Sequence, residues 1–236
     1  MVADILVVIF QAPFAGVGLT LGTYAFAYAV HQSLGQNVWS HPILVSVVIL
    51  SLFLILLRVD YQTYFASAQP LHLALGPYLV LLAVPLCRQL RSIRAAAGAV
   101  GFALLLGSGT ALVMNLLLAG ALGASPEVLI SLLPRSVTTP AAIGIAESLG
   151  GIASLTAAAV IASGIFGAVA GPSILNLLRI HDHRAQGLAL GLAAHAIGTM
   201  RAFQISPQAG SFAAIGMVLN ALVTIVAAPI VLVFLL

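Results

Sequence analysis

Apolar runs of about 20 residues recur along this chain, and that is the length one helical crossing of a bilayer requires. Of its 236 residues, 62% are hydrophobic and 6% are charged, whereas soluble domains carry about 25% charged residues. A water-soluble domain can form its hydrophobic core with a much less apolar composition. The sequence therefore predicts an all-α integral membrane protein, a polytopic helix bundle that forms a single transmembrane domain over residues 1–236.

The predicted spanning helices carry small residues at i+4 spacing, and such rows let helices approach closely in lipid. Asn115 and Asn220 lie on two of these rows and are expected to form hydrogen bonds between helices. The first run follows Asp4 and is longer than the apolar part of a signal peptide, so we expect it to be retained. The predicted spans are residues 5–30, 42–57, 93–122, 152–178, 187–205 and 211–236.

One apolar segment, residues 133–151, departs from the helical pattern. Pro134 and Pro140 each remove a backbone donor and clash with the preceding turn. The polar residues between them are Arg135, Ser136, Thr138 and Thr139. Irregular backbone at membrane depth persists only where protein or a water-filled cavity satisfies it. The break therefore predicts a transport pathway or a binding pocket.

A second predicted break lies in residues 71–86, where Gly76, Pro77 and Pro85 bracket a helix of barely two turns. Arginines cluster in residues 88–94 and 179–184, which places both loops on the cytoplasmic side. An even number of crossings then separates these loops, so we expect residues 127–150 to enter and return on one side. The same parity makes residues 71–86 re-entrant from the opposite face. Two opposed broken elements are typical of inverted-repeat transporters.

The break at residues 133–140 has the chemistry of an anion site. Thr139 is predicted to be the N-cap and Pro140 the first residue of a helix over 140–149. Such a helix directs free N–H groups and its positive dipole end at the hydroxyl-rich loop. Arg135 adds a planar fork that suits a carboxylate. The alternative is that Arg135 reaches a lipid headgroup and the hydroxyls only cap helices.

Three further ionisable residues are candidates for the site. His195 lies inside an apolar run with Thr199 one turn away, and function is the default hypothesis for such a residue. It could couple proton movement to transport, or it could be a neutral ring bonded to Thr199 or to a facing carbonyl. Glu147 is either a proton or cation partner or an interfacial residue. Arg201 is either a second anion contact or an interface anchor.

Several other classes of site are not expected. Ser136, His195 and Asp182 could be written as a catalytic triad, but Asp182 belongs to a loop at the far end of a predicted span from His195. His181 and His183 are too isolated to bind a metal. The lone Cys87 excludes an internal disulfide, and eight basic residues are too few for nucleic-acid binding. We expect no enzyme activity, no cofactor and no metal.

Three motifs identify a family resemblance: LLPRSVTTPAAIGIAESLGGIASLTA, IFGAVAGPSILNLLRI and RAQGLALGLAAHAIGTMRA. In their order and spacing, the chain strongly resembles the LrgB/CidB family of bacterial membrane proteins over nearly its whole length. It departs from that family at Tyr78 and Leu79, where a small and a hydroxyl-bearing residue are usual. It also departs at Ala66 and Ser67, where the family has Gly-Gly.

The resemblance implies a multi-pass protein of the bacterial inner membrane, with two possible functions. One is a carrier or channel for small carboxylates such as pyruvate, since a plastid relative resembles a glycolate/glycerate transporter. The other is a holin-like or antiholin-like oligomeric pore or regulator of murein hydrolase export and lysis. The resemblance also implies homo-oligomers and a separate small LrgA/CidA-like membrane subunit. In the carrier, the site is expected to comprise Arg135, Ser136, Thr138, Thr139, His195, Thr199 and Arg201.

Overall fold

The computed structural model describes residues 12, 14–35, 40–81 and 83–235. These residues are mainly helical and contain no strand, which confirms the predicted all-α fold. The chain packs as two compact units, Met1–Leu81 and Leu82–Leu236. The first contains α1 (Ala15–Ser33), α2 (Pro42–Leu56) and α3 (Tyr61–Leu81). The second contains α4 (Ala83–Arg88), α5 (Leu90–Ala95), α6 (Ala97–Ala121), α7 (Pro126–Leu132), α8 (Thr139–Ser148), α9 (Ala153–Leu177), α10 (His183–Ile205) and α11 (Pro207–Leu235).

Three helices in the described part of the chain are long and apolar enough to cross a bilayer, namely α6, α9 and residues Pro207–Val233 of α11. Only 28% of the most apolar stretch of each helix is buried within the protein. Most of these apolar side chains therefore face outward, as contact with lipid requires. Glycines with positive φ follow two of the second unit's helices and terminate them: Gly123 after α6 and Gly150 after α8.

In the first unit, α1 packs against α2 and α3. The Gly16 amide donates to the Ser67 hydroxyl over 3.0 Å, and the hydroxyls of Thr20 and Tyr64 are hydrogen-bonded at 2.7 Å. A Cβ on Gly16 would approach the Tyr64 carbonyl to 2.8 Å, so this position requires glycine. Ser67, one of the departures from the family sequence, therefore fastens α3 to α1.

The predicted break at Gly76 and Pro77 is wrong. Helix α3 continues through Gly76 and Pro77 to Leu81, and Pro85 lies inside α4. A proline removes one backbone donor, but a helix in an apolar environment has no water with which to replace its other hydrogen bonds. Remaining helical is therefore less costly than unwinding several peptide groups. Gly76, Pro77 and Pro85 therefore lie within helices.

The segment from α7 to α8 is the helical hairpin that the sequence predicts. The chain leaves α7 at Leu132, turns over residues 133–138 and re-enters a helix at Thr139. After α8 it returns to the level of α7, where the Ile152 amide donates to the Ser131 hydroxyl over 2.7 Å. The Thr156 hydroxyl donates to the Ser131 carbonyl over 2.9 Å. Helix α9 therefore starts beside α7.

Helix α10 is not the straight span that the sequence predicts over 187–205. Its backbone is non-helical at Ala194 (φ −132°, ψ 16°) and at His195 (φ 42°, ψ −128°). Residues eight apart in a straight helix are about 12 Å apart along its axis, yet a Cβ on Gly198 would collide with the Leu190 carbonyl. The chain has reversed direction between them. The two halves of α10 form a second hairpin with its tip at residues 194–195.

The packing of α11 confirms this reversal. Gly187 lies against the Ala209 backbone and Gly191 against the Ala213 backbone, so the first half of α10 runs parallel to α11. The second half runs back to the start of α11, where the Phe203 ring covers Gly210. Gly187, Gly191, His195 and Thr199 would share one face of a straight helix, but the turn separates the two glycines from Thr199.

The two hairpins enter the second unit from opposite ends. Helix α7 packs on the C-terminal half of α6, in a cluster that contains Leu116 and Leu129, and on the first turn of α9 through Ser131. Helices α6 and α9 are therefore antiparallel. The α10 hairpin starts from the far end of α9 and packs beside the N-terminal part of α6 in a cluster with Val100. The α10 hairpin is thus a second, opposed hairpin, at a position where the sequence predicted a straight span.

Candidate functional site

Asn220 of α11 links the tips of the two hairpins. Its amide nitrogen donates to the Ser136 carbonyl over 2.9 Å and to the Leu192 carbonyl over 3.3 Å. Its amide oxygen accepts a 2.6 Å hydrogen bond from the Ser108 hydroxyl of α6. Both Ser108 and Asn220 lie near the middle of their helices. The tips therefore meet halfway along the bundle, at the depth where inverted-repeat transporters bind their substrates.

Side chains from the spanning helices satisfy the unwound backbone of residues 133–138. The Asn115 amide nitrogen of α6 donates to the Leu132 and Leu133 carbonyls, each over 3.3 Å. The Ser163 hydroxyl of α9 donates to the Arg135 carbonyl over 3.0 Å. Together with Asn220, these donors occupy carbonyls that a continuous helix would have satisfied internally. Such compensation is what permits an irregular segment in an apolar bundle.

A cavity of about 800 Å³ opens beside this segment. Its walls come from α6, α9 and the first half of α10, and are formed largely by small and apolar residues such as Ala111, Phe166 and Leu190. Of the charged side chains that the structure describes, only Arg135 lines the cavity, and Ser136 lies next to it. The site is therefore a mainly apolar space with one positive charge in its wall.

The Arg135 side chain is exposed, and its Nε donates to the amide oxygen of Asn115. The ion pair found among the described residues joins Arg184 to Asp182, so Arg135 has no carboxylate partner there. An uncompensated cation in low-dielectric surroundings is costly. Arg135 therefore has the geometry and charge to bind an anion in the cavity.

Thr138 and Thr139 do not line the cavity. The predicted N-cap was placed one residue too late, since α8 begins at Thr139 and its N-cap is Thr138. The Thr138 side chain makes no capping hydrogen bond, and Pro140, the second residue of the helix, has no N–H to donate. The first turns of α8 pack into an apolar cluster through Ala142 and Ile145. Arg135, and not the end of this helix, supplies the positive character of the cavity.

His195 lies at the tip of the α10 hairpin and is 3% exposed. Its Nε2 is 3.0 Å from the Val160 carbonyl of α9. A carbonyl only accepts, so Nε2 carries the hydrogen. The Thr199 hydroxyl donates to the His195 carbonyl over 2.8 Å and lies 3.9 Å from the Met217 sulfur. Neither His195 nor Thr199 lines the cavity; His195 joins the hairpin tip to α9 beside it.

The remaining candidates lie elsewhere. The Arg201 Nη1 donates to the Gln204 side chain over 2.8 Å, and its buried Nε has no hydrogen-bond partner within the described part of the chain. Glu147 is exposed near the end of α8. In the loop before α10, Asp182 caps that helix, and its hydrogen bonds to Arg184 lower the pKa of its carboxyl group to about 2. No cluster of metal-ligating side chains occurs among the residues described.

Sequence reasoning assigned Asn115 and Asn220 to contacts between helices and so missed their position at the site. Both bond the backbone of residues 132–136. The signal that could have revealed this is an amide side chain inside a predicted span, where it must find several partners. Ser108 and Ser163 were also missed. Ser163 lies in a row of small residues, where a serine is indistinguishable from a packing residue.

The fold and this site define an all-α polytopic membrane protein in which two opposed hairpins meet at a cavity. Residues 20–234 match the LrgB-like family, and the chain belongs to this family. It is 34% identical over 216 residues to YwbG of Bacillus subtilis, covering 92% of this chain and 96% of that protein. It is 29% identical over 212 residues to the holin-like protein CidB of Staphylococcus aureus, covering 90% and 92%. No solved structure matches the chain.

Proposed function

We propose that this protein carries small monocarboxylates across the bacterial inner membrane as a multi-pass transporter, and that Arg135 binds their carboxylate group. The observation that supports this most directly is a guanidinium group without a carboxylate partner among the described residues, exposed to a cavity of about 800 Å³ at mid-bundle. The planar fork of an arginine matches two carboxylate oxygens. The apolar walls suit the short carbon chain of an acid such as pyruvate or glycolate.

The arrangement of the hairpins favours a carrier. One hairpin enters from each end of the unit, and their tips are joined through the Asn220 amide. A site between two such elements can be opened toward one end or the other if one tip moves away. His195 holds the tip of α10 to α9. We propose that this residue, rather than the exposed Glu147, couples proton movement to the motion of that tip.

The names of relatives favour a second candidate. CidB of Staphylococcus aureus is called a holin-like protein, and a homo-oligomeric pore or regulator of murein hydrolase export is the corresponding function here. In that case the residues of the site only pack the bundle. A small LrgA/CidA-like partner subunit, which the family resemblance implies, is part of both proposals.

Uptake by proteoliposomes tests the proposal. Vesicles containing the purified protein are expected to take up radiolabelled pyruvate in a saturable manner. The Arg135→Gln variant is expected to lose on the order of 100-fold in uptake efficiency, because it removes a charged hydrogen-bonding partner of the substrate. Arg91→Gln, which removes an exposed arginine from α5 outside the cavity, is the control and should match the unaltered protein.

Two outcomes would contradict this proposal, the first its binding site and the second its mode of transport. If Arg135→Gln takes up pyruvate as well as Arg91→Gln does, Arg135 is not the anion site. If the vesicles release neutral solutes of similar size as fast as pyruvate, the protein forms a pore and the second candidate is correct.

A further inference from the structure

We propose that Asn115 is a positioning residue that determines the specificity of the site. By bonding Arg135 through a neutral amide, it leaves the guanidinium with its full charge and a free edge, so that the cavity accepts one negative charge and no more. This inference rests on the proposed function, since it concerns the same cavity.

The orientation of the Asn115 amide is fixed by its surroundings. Its nitrogen lies 3.3 Å from the Leu132 carbonyl and 3.3 Å from the Leu133 carbonyl. An amide nitrogen only donates, and two carbonyls only accept, so a flipped amide would place oxygen against oxygen. The Asn115 oxygen must therefore face the opposite way, toward the Nε of Arg135. The irregular backbone of the break thus decides which atom Arg135 meets.

This contact decides which part of the Arg135 guanidinium stays available. Nε carries one of the five N–H donors of an arginine, and Asn115 occupies it. The two terminal nitrogens remain, and they provide N–H groups for a carboxylate. Because Arg135 lines the cavity, these donors are available to a molecule inside it. Asn115 thereby reduces the rotational freedom of the side chain before the substrate arrives.

A second arginine shows what an acidic partner does. Asp182 accepts hydrogen bonds from Arg184 Nε over 3.1 Å and from its Nη2 over 2.7 Å. That guanidinium is neutralised and its fork is occupied. An aspartate at position 115, like a leucine there, would lose the two hydrogen bonds donated to the Leu132 and Leu133 carbonyls. Only the aspartate would also pair with Arg135 in the same way. The cavity would then have no net charge and no attraction for an anion.

The neutrality of Asn115 also limits the charge of the substrate. Arg135 is the only charged side chain that lines the cavity in the described part of the chain. A monocarboxylate compensates it fully. A dicarboxylate would bring a second negative charge without a partner into largely apolar surroundings, which is unfavourable. The class of substrate is therefore a small monoanion.

The test compares Asn115→Asp with Asn176→Asp in proteoliposomes. Asn176 lies on the exposed surface of α9 outside the cavity, so its variant makes the same change in total charge without contacting Arg135. Asn115→Asp is expected to lose on the order of 100-fold in pyruvate uptake efficiency, whereas Asn176→Asp should be unchanged. Competition by acetate and by the neutral acetamide then reports how strongly each protein prefers the charged form.

The preference for acetate over acetamide separates the proposed role of Asn115 from a purely structural one. Asn115→Leu removes the contact but keeps the charge of Arg135, so it should lose about 10-fold in uptake and still prefer acetate to acetamide. Asn115→Asp should lose that preference. If Asn115→Asp keeps the preference of the unaltered protein, the inference is wrong.

The unaltered protein supplies a test that needs no variant to fold. Malonate, a dianion at neutral pH, should compete with pyruvate at least about 10-fold less effectively than acetate does; equal competition would overturn the inference. Failure of the proposed function looks different. In that case the unaltered protein itself shows no saturable pyruvate uptake.

Discussion

Residues 76–77 and residues 194–195 behave in opposite ways. Gly76 and Pro77 are the residue types that interrupt helices, yet α3 continues through them. Ala194 and His195 include neither glycine nor proline, yet the backbone leaves the helical region at both and reverses direction. Local propensity therefore predicts the wrong outcome at both places. In an apolar environment, contacts with other helices decide where a helix breaks.

The α10 tip packs closely against its neighbours because glycines leave room for it, two of them on α9 and one on α10. A Cβ on Gly164 would lie 2.6 Å from the His195 ring, and a Cβ on Gly167 would lie 2.6 Å from the Ala194 methyl group. Within α10 itself, Gly198 leaves room for the Leu190 carbonyl. Three glycines thus allow the tip to pack closely, and the His195 bond to Val160 completes the contact.

The largest effect is expected from Gly198→Ala. The added methyl group would collide with the Leu190 backbone carbonyl, which cannot rotate away as a side chain could. The two halves of α10 would have to separate, and we expect a loss of about 3 kcal/mol of unfolding free energy. Equilibrium unfolding of the purified protein in detergent measures this loss.

Gly109→Ala in α6 is the control for that experiment. No atom lies within 4 Å of a Cβ built at Gly109, so this variant should be neutral or stabilised through its better helix propensity. Equal stability of the Gly198→Ala and Gly109→Ala proteins would show that α10 is straight at this point.

An effect of intermediate size, and of opposite sign, is expected from Pro77→Ala. Because Pro77 lies inside a continuous helix, alanine restores the missing donor and relieves the clash with the preceding turn. Proline costs about 3 kcal/mol in a helix interior, and its rigidity in the unfolded chain offsets about 1 kcal/mol of that. The variant should therefore gain about 2 kcal/mol, measured by the same unfolding experiment. A loss of stability would indicate that the α3 backbone needs an interruption here.

Much of the fold follows from the sequence by simple rules. The predicted spans at 93–122 and 152–178 agree with α6 and α9 to within four residues at each end. The break at residues 133–138 was predictable, because Pro134 and Pro140 flank polar residues that a buried helix would not contain. The hairpin in α10 was not, since its cause is divided between Gly164 and Gly167 of α9 and Gly198 of α10, which lie in two separate segments of the chain. A glycine in an apolar run gives no indication of which segment will occupy the space beside it.

The candidate site, too, was predictable from the sequence only in part. Arg135 and Ser136 are next to each other in sequence, and both line the cavity. Asn115 and Asn220 reach the break from distant helices, and only the hairpin geometry brings them there. His195 was expected beside the substrate because a histidine in an apolar run suggests function. Its position instead follows from the reversal of α10, which turns the ring toward α9, and the ring does not line the cavity.

The smallest effect concerns the backbone of His195 itself. Its φ of 42° lies in the region that side chains with a Cβ rarely adopt, and such strain costs about 1–3 kcal/mol. Glycine at this position removes the strain, whereas alanine keeps it; both lose the hydrogen bond to the Val160 carbonyl. The flexibility of glycine in the unfolded chain offsets part of the gain. We expect His195→Gly to be more stable than His195→Ala by about 1 kcal/mol.

Glycine is normally worse than alanine inside a helix by about the same amount, so the sign of the difference, measured by unfolding in detergent, distinguishes a hairpin tip from a regular helix. An advantage for alanine would mean that residues 194–195 resemble residues 76–77 after all.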